Sequence, residues 1–154
     1  ILSHRNPDRV NYINAETLLK ENNINVKYSL SNENISYENM IKTVVKSDDE
    51  EVKICASLFQ GNRPRLVNLF GYELDIVPNG IMFFIKNIDK PGVIGKIGTI
   101  LGDTKINIKE FLLSKKKSSE LAFSVVRLDS IPSQQVIDQI NSLDEVQSIQ
   151  LLNC

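Results

Sequence analysis

The spacing of apolar residues along the C-terminal half predicts a series of alternating elements. Residues 81–85 form an unbroken apolar run, which is typical of a buried strand. From Val93 the apolar residues recur at helical spacing and stop near Gly102. Residues 106–113 and 121–128 are β-rich runs, and the loop of lysines and serines between them, 115–119, is most simply solvated.

The same half ends with a second helix and a last strand. Pro132 is predicted to open the helix, whose apolar face holds Val136, Ile140 and Leu143, and residues 146–152 supply the strand. The order β-α-β-β-α-β predicts a ferredoxin-like α+β fold, in which a four-stranded antiparallel sheet carries two helices on one face.

The N-terminal half is less regular. Residues 15–21 predict a short helix, and Ser47 to Glu50 predict a hairpin turn. Strands are predicted over 26–30, 40–46, 52–59 and 66–77. The turn signal Pro78-Asn79-Gly80 predicts a domain boundary, with a small antiparallel-sheet domain over 1–79 and the ferredoxin-like domain over 80–154.

Charge and composition narrow the possible partners. Lys plus Arg total 18 against 19 for Asp plus Glu, so no strong field attracts nucleic acid or an anionic membrane. No apolar run approaches the roughly 20 residues that a bilayer requires, and no basic-then-apolar leader opens the sequence. We expect a soluble, cytoplasmic protein that binds small molecules or other proteins.

Few residues in the sequence are suited to catalysis. His4 is the single histidine, and Cys55 and Cys154 are too few and too far apart for a metal site or a disulfide scaffold. We therefore expect no metal and no complete active site in this chain. Ile1 stands where a Met would begin a protein, which indicates a piece of a longer one.

The segment from Asn87 to Gly98 concentrates groups that can bind a ligand. The side chains of Asn87 and Asp89 project to the same face of an extended segment, just before the Pro91-Gly92 turn and a helix N-terminus. The N–H groups near Val93 favour an anionic group. This combination fits a small zwitterion, such as an amino acid.

Three glycines share one face of the predicted helix, away from its apolar face. They are Gly95, Gly98 and Gly102. Each interior glycine costs a helix about 1 kcal/mol relative to alanine, so another backbone or a ligand is expected to approach them. Tight packing within one subunit is the alternative.

The motif Asp89-Lys90-Pro91-Gly92-Val93-Ile94-Gly95, followed by Ile106-Asn107-Ile108, resembles the signature of ACT domains, regulatory modules that bind amino acids between paired subunits. Residues 9–15 and 71–75 resemble the allosteric substrate-binding (ASB) domain that precedes ACT in the longer forms of D-3-phosphoglycerate dehydrogenase. The resemblance implies the C-terminal regulatory region of such an enzyme. It implies NAD as cofactor of the whole enzyme and none in this chain.

The resemblance also implies an effector site. Asn87, Asp89 and Asn107 match the positions that contact serine in the family, where His or Tyr often stands at the position of Asn87. We expect these residues around one helix N-terminus, with amides from either subunit of a homodimer, binding L-serine or another small amino acid. The alternative is that Asn87 and Asp89 cap the helix while Asn107 satisfies a turn.

The ASB resemblance further implies an anion site. Arg65 matches one basic position of the family, whereas Tyr72 and Glu73 stand where the family has other basic residues. Two other parent proteins remain open at this point. One is an iron–sulphur L-serine dehydratase, which needs more cluster cysteines than this chain holds, and the other is a stand-alone ACT amino-acid sensor.

Overall fold

The computed structural model describes residues 10–11, 13–31, 37, 39–48, 50–117 and 119–154. His4, Arg9 and Tyr12, which the sequence singled out, lie outside these ranges. The protein forms two compact units, residues 1–34 and residues 35–154.

Among its described residues, the first unit contains one helix. Helix α1 covers Ala15–Glu21, as predicted, and the side chain of Asn11 accepts hydrogen bonds from the N–H groups of Ile13 and Asn14 just before it. The strand predicted over 26–30 is wrong, because these residues have no regular structure and no strand partner. Tyr28 is 95% exposed and Leu30 is 100% exposed, so their side chains lack the buried face that stabilises a strand.

The second unit begins with a four-stranded antiparallel sheet in the order β1-β2-β3-β4. Its strands are β1 (Met40–Lys46), β2 (Glu51–Phe59), β3 (Arg63–Leu69) and β4 (Tyr72–Ile76). The single strand predicted over 66–77 is wrong. Phe70 and Gly71 interrupt it with φ angles of 54° and 81°, and they form a two-residue type I′ hairpin turn between β3 and β4.

The second sheet confirms the predicted β-α-β-β-α-β order. Its elements are β5 (Ile81–Ile88), α2 (Val93–Asp103), β6 (Ile108–Lys115), β7 (Leu121–Leu128), α3 (Gln134–Asn141) and β8 (Val146–Asn153). The strands are antiparallel in the order β6-β7-β5-β8. Pro132 does not open α3 as predicted, since the helix begins at Gln134 and Ser133 is its N-cap, accepting from the N–H of Val136 at 3.4 Å.

Two apolar clusters hold this unit together. The first lies between the helices and one face of the second sheet, where Phe83 and Ile85 of β5 meet Val93, Ile97 and other helix residues. The second joins the two sheets, with Tyr72 and Leu74 of β4 packed against the opposite face, on Met82 and Phe123. Strand β5 therefore contributes alternate residues to each cluster. Within the described residues, no helix has both the length and the apolar content needed to span a bilayer.

Candidate functional site

Backbone hydrogen bonds hold the C-terminal end of β5 on both sides. They fix the position at which α2 begins. The N–H of Ile88 donates to the carbonyl of Glu145 at 2.7 Å, and the N–H of Asp89 donates to the carbonyl of Glu120 at 2.8 Å. The backbone then reverses at Gly92, whose φ of 94° is a conformation that side chains disfavour.

The N-terminus of α2 has no side-chain cap. Gly92 occupies the N-cap position, and the N–H of Val93 reaches the carbonyl of Lys90 only at 3.4 Å. The alternative in which Asn87 and Asp89 cap the helix is therefore wrong. The side chain of Val93 lies in the core at 2% exposure, so Val93 can offer a ligand only its backbone N–H.

Asn87 lies beneath this helix end rather than on the surface. It is 2% exposed, its Nδ2 donates to the carbonyl of Ile88 at 2.9 Å, and its Oδ1 accepts from Ser124 Oγ at 3.2 Å. The direct contact with a ligand that the sequence predicts stays a prediction, and it requires the buried side chain of Asn87 to become accessible. As placed, Asn87 holds the end of β5 against β7.

Asp89 pairs with a residue that sequence reasoning missed. Lys115 Nζ lies 2.5 Å from Asp89 Oδ2, and both side chains are partly exposed. The neighbouring Lys116 donates to the carbonyl of Phe70 at 2.7 Å and lies 4.4 Å from the centre of the Tyr72 ring. The prediction of a merely solvated loop is thus wrong for these two lysines, and Lys115 places a cation beside the open helix end.

Asn107 lies at the opposite end of the sheet from Asn87 and Asp89 in the same chain. Ile108 pairs with Leu128, which pairs with Ile81 at the start of β5, whereas Asn87 stands at its other end. The eight residues of β6 span roughly 25 Å. One chain therefore brings Asn87 and Asp89 together and does not bring Asn107 to them.

Asn107 is held in place by Asp129, a second residue that sequence reasoning missed. The backbone N–H of Asn107 donates to Asp129 Oδ1 at 3.0 Å, and Asn107 Nδ2 donates to Oδ2 at 2.8 Å. The side-chain bond from Asn107, followed by one from Ser130, lowers the pKa of Asp129. Asn107 is exposed, and no hydrogen bond from a described residue reaches its side-chain oxygen.

The glycine face of α2 is open. A Cβ atom added to Gly95, Gly98 or Gly102 would meet no atom within 4 Å. Tight packing within one subunit, the alternative named from the sequence, is not observed among the described residues. The face is free for a second molecule to approach.

A further ion pair ties α2 to the segment before β8. Lys96 Nζ lies 2.6 Å from Glu145 Oε1, and this hydrogen bond lowers the pKa of Glu145. The pair joins residues 49 positions apart, so no local pattern in the sequence could indicate it.

The guanidinium of Arg65 is already paired. Its Nε lies 3.3 Å from Asp75 Oδ1, on the neighbouring strand β4. The predicted anion site at Arg65 stays a prediction, and an anion would have to compete with Asp75. In the described part of the protein no group of three His, Cys, Asp or Glu residues could hold a metal ion.

Comparison with known proteins identifies both parts of the sequence. The D-3-phosphoglycerate dehydrogenase intervening domain matches residues 1–70, and the ACT domain matches residues 81–145. The protein thus combines a phosphoglycerate dehydrogenase intervening domain with an ACT domain. This confirms the resemblance to the ASB and ACT region of that enzyme, while the boundary between residues 79 and 80 stays a prediction.

Curated relatives agree with this assignment. The D-3-phosphoglycerate dehydrogenase of Methanocaldococcus jannaschii is 31% identical over 94% of this chain, and that of Bacillus subtilis is 27% identical over 99%. That of Archaeoglobus fulgidus is 26% identical over 90%. The chain spans only 27% and 29% of the length of the first two relatives. These relatives do not favour a serine dehydratase or a stand-alone sensor.

Proposed function

We propose that this chain is the regulatory region of an NAD-dependent D-3-phosphoglycerate dehydrogenase and that it binds L-serine between two copies of its ACT domain. The observation that carries the proposal is the uncapped N-terminus of α2 beside the Asp89–Lys115 pair, within an ACT domain. ACT domains bind amino acids, and relatives that match this region are named D-3-phosphoglycerate dehydrogenase.

The charges around the helix end complement a free amino acid. The backbone N–H groups near Val93 and the ammonium of Lys115 attract the α-carboxylate, and the carboxylate of Asp89 attracts the α-ammonium. Asn87 acts in this arrangement as a positioning residue, because it fixes the strand end that carries Asp89.

In the proposed dimer, pairing of two copies through β6 brings Asn107 of one copy to the site at Asp89 of the other. Strand β6 is at the edge of its sheet, and β7 is its sole strand partner among the described residues. In the proposed dimer β6 pairs antiparallel with its copy, so the Asn107 end of one copy lies beside the Lys115 end of the other. The side-chain oxygen of Asn107 then accepts a hydrogen bond from the ammonium bound at Asp89 of the second copy.

The glycine face of α2 is compatible with this pairing. The helices lie on the same sheet face in both copies, and a side with no Cβ atoms allows two backbones to approach closely. Symmetric two-fold pairing produces two equivalent sites, each built from both subunits.

Isothermal titration of L-serine into the protein tests the proposal. We expect saturable binding, and we expect Asp89→Asn to weaken it by roughly 10- to 150-fold, because a hydrogen bond to a charged group contributes about 1.5–3 kcal/mol. Asp48→Asn is the matched control, since Asp48 is exposed in the turn between β1 and β2 of the other sheet. This control variant should bind serine like the native protein.

Two results would contradict the proposal. One is the absence of saturable binding of serine or another small amino acid. The other is an Asp89→Asn variant that binds serine normally but melts at a lower temperature, because Asp89 would then act only through its ion pair with Lys115.

A further inference from the structure

A groove between the two sheets lies on the face of the second sheet that carries no helices. It has a volume of about 280 Å³ and is lined by Glu50, Phe70, Tyr72, Phe84, Lys86, Lys116, Phe123, Ser148 and Gln150. Strand β5 places Phe84 and Lys86 on this face, whereas Asn87 belongs to the opposite one. The groove is therefore separate from the proposed serine site.

The walls of the groove are aromatic. Phe123 is buried at 4% exposure, and Phe84 stacks on it with ring centres 6.0 Å apart. Phe70 contacts the same ring edge-on at 5.7 Å and remains 40% exposed. Phe70 and Phe84 thus flank one buried ring and present aromatic surface to the opening, where a flat ring can stack.

The position of Phe70 is conformationally unusual. A residue at the first central position of a type I′ turn has a positive φ, and Asn or Asp is the common choice. Phenylalanine here adopts a strained backbone, and strained residues concentrate at ligand-binding sites. Lys116 holds this turn by donating to the Phe70 carbonyl at 2.7 Å.

The polar groups of the groove carry a net positive charge. The ammonium groups of Lys86 and Lys116 outnumber the carboxylate of Glu50, and Ser148 and Gln150 offer neutral hydrogen-bonding groups. Lys86 has no hydrogen-bond or ion-pair partner among the described residues, so its ammonium is available to an anion. The volume lies at the small end of the range for ligand pockets, which limits the occupant to about a single ring.

We propose that this groove is a second binding site, which takes a small aromatic monoanion such as a ring carboxylate. The ring lies against Phe70 and Phe84, and the carboxylate pairs with Lys86. A polar substituent on the ring reaches Ser148 or Gln150.

Titration with 4-hydroxybenzoate, followed by amide chemical shifts of the 154-residue protein, tests the proposal. We expect saturable shifts at Gly71, Ser148 and Gln150 that persist in the presence of saturating serine. Two control ligands separate the contributions, since 4-hydroxybenzyl alcohol has the ring without the charge and acetate has the charge without the ring. Both should bind at least tenfold more weakly.

Variants of groove residues test which side chains bind the ligand. Lys86→Gln should weaken 4-hydroxybenzoate binding by roughly tenfold or more, Lys86→Arg should retain it, and Lys42→Gln on the exposed β1 strand is the matched control. Phe70→Asn suits the turn and should fold, yet it should also weaken binding. Equal binding of the neutral alcohol, unchanged affinity in Lys86→Gln, or no saturable shift at millimolar ligand would each overturn the proposal.

Discussion

The carboxylate of Asp129 makes three hydrogen bonds, two with Asn107 and one with Ser130. These bonds favour the charged form and lower the pKa of Asp129 from its usual value of 3.8. Because the pKa is lowered in the folded state, the stabilisation is complete above pH 3.8 and is lost as the pH falls through the lowered pKa.

Asn107→Ala should therefore destabilise the protein by a constant amount from about pH 7 to pH 5, and by less below the usual pKa of Asp129. Urea unfolding of the native protein and the variant at several pH values measures the difference. The control is Asn107→Ala introduced into an Asp129→Asn background. Its effect on the free energy of unfolding should not change with pH, because residue 129 then carries no ionisable group. A difference that stays constant down to about pH 2 would show that the bond does not depend on the charge of Asp129.

At the residue scale, the sequence predicts where Asn87 and Asp89 lie but not which residues contact them. Asn87 and Asp89 could be placed at the end of a strand because alternation and the Pro91-Gly92 turn are local signals. Their partners could not be placed, since Lys115 lies 26 positions from Asp89 and reaches it through strand pairing. For the same reason the sequence does not indicate Asp129 as a partner of Asn107, since the two residues lie 22 positions apart.

At the element scale, helix α2 contains a glycine face that the fold itself does not use. In the monomer, Gly98→Ala should stabilise the helix by up to about 1 kcal/mol, because a Cβ atom at this position meets nothing within 4 Å outside its own helix and alanine restricts the unfolded state. Thermal unfolding at a protein concentration low enough to keep the chain monomeric measures this gain, since in the proposed dimer the added Cβ atom would lie between the two copies. A lower melting temperature of the monomer would mean that Gly98 is already packed against part of the same subunit.

The edge strand β6 is the second element on which the proposal depends. Leu113 is half-exposed on this strand, and Leu113→Lys should prevent self-association, because a charged side chain on an edge strand disfavours pairing there. Leu58→Lys is the matched control, since Leu58 is exposed on β2 of the other sheet. Sedimentation in which both variants associate like the native protein would exclude β6 as the interface.

The errors in the predicted elements have local causes. The break at Phe70-Gly71 was missed because a phenylalanine seldom occupies a positive φ, and the surrounding residues all favour strands. Residues 26–30 were predicted as a strand from the residue pattern of that segment alone. A strand forms only where a neighbouring strand and a buried face are present, and the structure supplies neither.

At the scale of the whole molecule, the packing of one sheet on the other could not be predicted from the sequence. Alternating residues in β4 and β5 indicate that one face is buried, but they do not indicate what buries it. The structure shows that Tyr72 stacks on Phe123 with ring centres 5.2 Å apart, which joins the first sheet to the ACT domain. The aromatic groove is a consequence of this contact.

The central claim is that serine is bound by Asp89 of one copy and Asn107 of the other. Titration of serine into a mixture of Asp89→Asn and Asn107→Ala variants tests it most directly. In a mixed dimer one site contains both native residues and the other contains neither. If subunits exchange freely in an equal mixture, roughly a quarter of all sites should recover native affinity, although each variant alone binds weakly. A mixture that binds no more tightly than the separate variants would contradict the account.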